Sequence, residues 1–142
     1  MSWLIFALLT IIFYAGFDFF IKLSSDKIHA GLGGLIINFI STIVLLIFLL
    51  ITKSKGENVF QTKSNGIIFS VIAGIVIGLA TITFLKMFSA GTNLSIGVPL
   101  VRIGIVLIAS FLGILVLKEP FTLKYLLGLI ISLFGLYLLI TK

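Results

Sequence analysis

Charged side chains set inside long apolar runs are the groups in this chain best placed to do chemistry. Arg102, Asp18 and Lys86 each stand among Ile, Leu, Val, Phe and Gly neighbours. A charge at the centre of a membrane-spanning helix costs at least about 2.5–3.5 kcal/mol, so it is kept where it lines a cavity or meets a partner. Arg102 lies about eight residues into its run, or about 12 Å deep at about 1.5 Å per residue, close to a bilayer midplane. Asp18 is a plausible counter-ion for Arg102 or Lys86, and its i,i+4 spacing from Lys22 also allows a local pair. Lys22 and Lys86 lie near the ends of their runs, where long basic side chains also serve as snorkelling anchors. Tyr14, one turn before Asp18, adds a hydroxyl or an aromatic wall, and Asn38 and Asn93 add amides. Pro99 removes a backbone donor near Arg102 and is expected to break the start of its helix, as in helices that border binding sites. Arg102, Asp18, Tyr14, Asn38, Lys86 and Asn93 therefore form the candidate substrate-binding set, with Pro99 as its hinge.

Other chemistries find no support. The chain has no cysteine and one histidine, His29, which excludes disulfides and thiolate metal sites and leaves a lone imidazole in a loop. No phosphate loop, nucleophile elbow or metal-ligand spacing occurs. No catalytic residue, metal or cofactor is expected, and the protein does not read as an enzyme.

The elements that must carry these residues are membrane-spanning helices. The 142 residues are 61% hydrophobic and 10% charged, with a mean hydropathy of +1.39. So little polar material cannot make a water-facing exterior, and the lipid bilayer must supply the outside. Five runs reach the roughly 20 residues that a helix needs to cross a bilayer: about residues 3–23, 32–52, 66–89, 94–117 and 123–140. They form an all-α, polytopic chain with a single five-helix domain over residues 1–142. The first run reads as a span rather than a cleaved signal, because Met1-Ser2 brings no basic start and the run is full length.

Five spans place the termini on opposite sides. Lys53, Lys55, Lys63, Lys118 and Lys124 fall on the side of the N-terminus, against Lys22, Lys27 and Lys142 on the other. Positive residues favour the cytoplasm, so the N-terminus leans inward, and so slight a bias also permits insertion in both orientations. The net charge of +6 is what flanking lysines produce and calls for no nucleic acid. Small residues at helical spacing suit close helix packing: Ser70, Gly74 and Gly78; Gly97 and Gly104; Gly128, Ser132 and Gly135. Packing within the chain is the first expectation for these stripes, and contact with a second copy the other.

The segment Asn93-Leu94-Ser95-Ile96-Gly97-Val98-Pro99-Leu100, followed by Gly113-Ile114-Leu115-Val116-Leu117-Lys118-Glu119-Pro120, resembles the EamA-type repeat of the drug/metabolite transporter superfamily. Leu127-Gly128-Leu129-Ile130-Ile131, Gly135-Leu136-Tyr137-Leu138-Leu139 and the early Tyr14-Ala15-Gly16-Phe17 with Lys22-Leu23-Ser24 fit as well, so the resemblance covers essentially the whole chain. Most members are similar to two such units fused with the halves inverted, and this chain has one. The resemblance thus implies two copies pairing, antiparallel, to rebuild an inverted repeat that works by alternating access. The sister small multidrug resistance family carries a glutamate in its first helix, where this chain has Tyr14 and Asp18, which argues against exchange of cationic drugs for protons. Glu119 matches the repeat's glutamate at a helix boundary, a structural position outside the substrate path.

The function expected is a secondary transporter or exporter of a small metabolite in the plasma (inner) membrane. Arg102 and Lys86 favour a substrate with an anionic group, such as an amino acid or organic anion. The alternative is a non-transport membrane subunit that binds lipid or a partner membrane protein through its glycine faces.

Overall fold

The computed structural model describes residues 2–60 and 64–141. Lys63 and Lys142, both counted in the charge balance, lie outside the described residues. All regular structure among the described residues is helical: α1 (Ser2–Ser25), α2 (Ala30–Ser54), α3 (Ser64–Ser89), α4 (Leu94–Leu115) and α5 (Leu123–Ile140). Each is long and apolar enough to cross a membrane. Most of their large apolar side chains are exposed, Phe13 at 71% and Leu123 at 78% among them. Lipid tails are the solvent that such surfaces require.

The helices start and stop for local reasons. His29 caps α2, its Nδ1 accepting the Gly31 N–H at 3.2 Å, which satisfies one of the donors left over at a helix start. Gly91, at φ +95°, ends the α3 turn in a left-handed conformation that costs glycine little. Thr122 caps α5 by accepting the Tyr125 N–H at 3.2 Å. Helix α4 ends at Leu115, two residues before the expected limit. Lys118 has φ +56°, and Pro120 then disfavours a helical conformation at the residue before it. The chain there folds back so that the Glu119 N–H meets the Gly113 carbonyl at 3.1 Å. The Glu119 carboxylate lies over Gly113, where a Cβ would stand 2.6 Å from its Oε2.

The chain divides into two compact units, α1–α3 up to Gly91 and α4–α5 from Thr92. In the first, the core is Ile21, Leu85 and Phe88, all at 2% exposure or less. Phe84 and Phe88 pack edge to face with ring centres 4.9 Å apart. Gly33 and Gly34 let α2 approach this core: a Cβ on Gly33 would lie 3.1 Å from Ile28 and 3.4 Å from Leu85. In the second unit, α4 and α5 are joined by a hydrogen bond between the hydroxyls of Ser110 and Tyr125.

Two expectations need correction. The glycine stripes were expected to pack first within the chain, yet a Cβ added at Gly74, Gly78, Gly104, Gly128 or Gly135 would meet nothing within 4 Å. Gly97 of these stripes is buried, but the close intrachain approaches lie at Gly33 and Gly34, beside leucine and isoleucine, and at Gly113, beside Glu119. Helix α4 is also not broken at Pro99, which sits inside a continuous helix. The missing N–H leaves one carbonyl of the first turns without its usual bond, a defect that a helix start tolerates better than its middle.

Candidate functional site

Asp18 is 3% exposed on the face of α1 that also carries Ile21 at 2% and Ser25 at 3%. It is a carboxylate set into the packed part of the first unit, and it is engaged with other groups of the chain. One turn earlier Tyr14 is exposed and meets Phe17 edge to face at 6.2 Å. Asn38 is half-buried on α2 and donates from its amide to the Gly34 carbonyl at 2.8 Å, which leaves its own carbonyl oxygen able to accept.

The buried residues of the first unit are Asp18, Ile21, Ser25, Ala30, Gly33, Gly34, Thr81, Leu85 and Phe88. They share one half of the unit, the end opposite the N-terminus. In the other half every described residue is exposed or only partly covered. Residues three and four apart share a helix face, so the buried stripes continue into the open half through Tyr14 on α1, Asn38 and Ser41 on α2, and Ser70, Gly74 and Gly78 on α3. Hydroxyls along this route are held by their own helices. Ser41 donates to the Ile37 carbonyl at 2.8 Å, Ser70 to the Gly66 carbonyl at 2.9 Å and Thr81 to the Ile77 carbonyl at 2.8 Å. Such back-bonding satisfies each hydroxyl without a partner on another helix.

The closed end is held by bonds that sequence reading missed. The Ser89 hydroxyl donates to the Ser25 carbonyl at 2.6 Å. The Lys22 ammonium donates to the Phe88 carbonyl at 3.4 Å, lies 3.7 Å from the Asp26 carboxylate and stands 5.6 Å from the centre of the Phe88 ring. Both acceptors belong to last turns, where the Phe88 carbonyl also accepts the Gly91 N–H at 2.9 Å, and a cation suits the negative end of a helix. Ser24-Ser25 and Ser89 beside span ends were the visible signal. Their pairing spans 64 residues of sequence, and no local pattern reports that.

Lys86 is exposed at this same end. With Ser25, Asp26, Ile28, His29, Ala30, Ser89 and Ala90 it lines a shallow, open depression of about 560 Å³. The structure thus brings Lys86 beside His29 and Asp26, a grouping the sequence did not suggest. In the second unit Arg102 is half-buried on α4 and engaged within the protein. Asn93 occupies the cap position of α4 and is exposed. Its backbone carbonyl accepts the Gly97 N–H at 2.8 Å, while its side chain makes no capping bond. Among the described residues no group of acidic or histidine side chains has the arrangement to hold a metal ion.

Comparison with known proteins adds a family. The EamA-like transporter family matches residues 1–141. An uncharacterized protein of Methanocaldococcus jannaschii is 29% identical over 136 residues, a stretch that covers 96% of this chain and 94% of that protein. No solved structure matches significantly.

Proposed function

Because the chain belongs to the EamA-like transporter family and is a multi-pass membrane protein of five spans, we propose that it carries a small metabolite across the membrane by alternating access. The family consists of membrane transporters of small molecules rather than enzymes. The substrate class proposed is an amino acid or organic anion, and the working form is an antiparallel pair of copies in the plasma (inner) membrane. Each copy contributes one five-helix domain.

One observation supports this reading most. A polar stripe of Tyr14, Asp18 and Asn38 runs through membrane-spanning helices, from a packed end into an open half of the first unit. A purely structural span has little use for such groups, because each costs free energy in lipid. In the second unit Arg102 and Asn93 are proposed to meet substrate, with the carbonyl freed by Pro99 softening α4 near Arg102. Lys86 is proposed to attract the anionic group at the depression. The glycine stripes at Gly74–Gly78 and Gly128–Gly135, open in the single chain, are suited to a second copy.

Reconstituted vesicles given a panel of labelled amino acids and organic acids provide the test. Arg102→Ala should reduce uptake of the transported compound by about 10- to 100-fold, the worth of one charge-assisted hydrogen bond, while the assembled state on a sizing column stays unchanged. Equal uptake by the variant and the parent chain would remove Arg102 from the substrate path.

A further inference from the structure

We propose that the closed end of the α1–α3 unit is a gate, with Phe88 as its plug and Lys22 and Ser89 as its latch. The proposal rests on the alternating-access reading and adds to it the side that opens and the bonds that must break. Phe88 and Leu85 are fully buried and Ile21 nearly so. These three side chains fill the end of the unit beyond Asp18 and Thr81, the buried polar residues that lie deeper along the same stripes. A path from that end to Asp18 must therefore displace the aromatic ring.

The bonds that hold the ring are unusual in being polar, few and placed at the rim. Lys22 reaches the Phe88 carbonyl and also stands against the Phe88 ring, and Ser89, the next residue, donates to the Ser25 carbonyl. Each partner can trade its protein bond for a bond to water: Asp26, which shares Lys22, is 62% exposed in its side chain. Ser89 also has the Leu85 carbonyl of its own helix at 3.0 Å, so its hydroxyl keeps a partner when α1 withdraws. A latch with a fallback bond on each side opens without stranding a buried donor, whereas an apolar weld would not. The opposite half of the unit has no buried residue among those described, so the packing that must give way lies at the Phe88 end.

Cysteine-free sequence makes the test direct. Thr81→Cys reports on the space beneath the plug and Ser41→Cys, on α2, on the open half. Each is labelled with a polar maleimide in nanodiscs of the full chain, where both membrane faces are accessible. With the latch intact, position 41 should react quickly and position 81 slowly. Lys22→Gln with Ser89→Ala should speed labelling at position 81 about 30-fold, the population shift expected from losing the two latch hydrogen bonds, and should slow it at position 41. Ser89→Thr with Lys22 intact, which keeps the hydroxyl, should leave the parent pattern unchanged.

Unchanged labelling at position 81 would overturn the gate. Faster labelling at both positions would do so too, since mere loosening lacks the reciprocal closure. Lys22→Gln alone gives the same readout where the double variant does not fold. No transported substrate is needed, so reciprocal labelling without uptake of any compound would leave the gate standing and the transport reading refuted. Uptake with no reciprocal change would do the opposite.

Discussion

The hydroxyl pair of Ser110 and Tyr125 ties α4 to α5 and illustrates what a single residue contributes in this fold. Without water inside the bilayer, a side-chain hydrogen bond between helices replaces unsatisfied groups rather than bonds to solvent. Its measured worth is nevertheless modest, because separated helices find other partners. Ser110 has one ready, the Val106 carbonyl of its own helix at 2.6 Å. Ser110→Ala and Tyr125→Phe should each lower stability by only about 0.6–1 kcal/mol, read by unfolding in mixed micelles. A loss several times larger would mean that the pair organises more than its own bond. The same residue scale explains why Asp18 was legible and the latch was not. A carboxylate in an apolar run announces itself, while a serine at a helix end is ordinary until its distant partner is known.

Among the elements, α2 shows how small residues decide which helices touch. Gly33 and Gly34 are neighbours in sequence but meet different surroundings. A methyl group at Gly33 would press on Ile28 at 3.1 Å, whereas one at Gly34 would make ordinary contact with Ile82 at 3.4 Å and Thr81 at 3.9 Å. Gly33→Ala should therefore destabilise the unit by about 1–3 kcal/mol through overpacking. Gly34→Ala should be neutral or should stabilise by up to about 1 kcal/mol, because alanine is the better helix former. Thermal unfolding of the two variants side by side checks the contrast. Equal effects would show that the α2–α3 contact is less close than described. Helix α4 carries the complementary lesson: its end is set by the left-handed turn at Lys118, φ +56°, and by Pro120, which cannot continue a helix, rather than by the apolar run, which extends to Leu117.

At the scale of the whole molecule, orientation and assembly are the open physical choices. The lysines flanking the spans are split nearly evenly, and a small bias lets a chain insert both ways. Reporters fused to the C-terminus, one active on each side of the membrane, should both give signal. Signal from one side alone would exclude an antiparallel pair made from this chain. Neutralising Lys53 and Lys55 should shift the ratio towards the opposite orientation. The open stripe at Gly74 and Gly78 leads to a second expectation. Gly74→Leu with Gly78→Leu should leave the single chain folded, since nothing lies within 4 Å of either position, yet should weaken pairing in cross-linking and size measurements. A pair that survives both changes would place the contact on another face.

Composition and the lengths of the apolar runs by themselves determined that this is a five-helix membrane protein, because a bilayer demands about 20 apolar residues per crossing and little else in the chain is polar. The order of its motifs carried the family. Spans 66–89, 94–117 and 123–140 match α3, α4 and α5 at one or both ends, and the other two differ by a few residues at turns that answer to local caps. The tertiary structure alone decided which glycines are packed, that Pro99 lies inside a continuous helix, and that Lys22, Ser25, Phe88 and Ser89 close one end of the first unit. The first and last of these depend on how far a helix is rotated about its axis and on which distant segment faces it. In a chain apolar on nearly every side, hydrophobic periodicity carries little information about either.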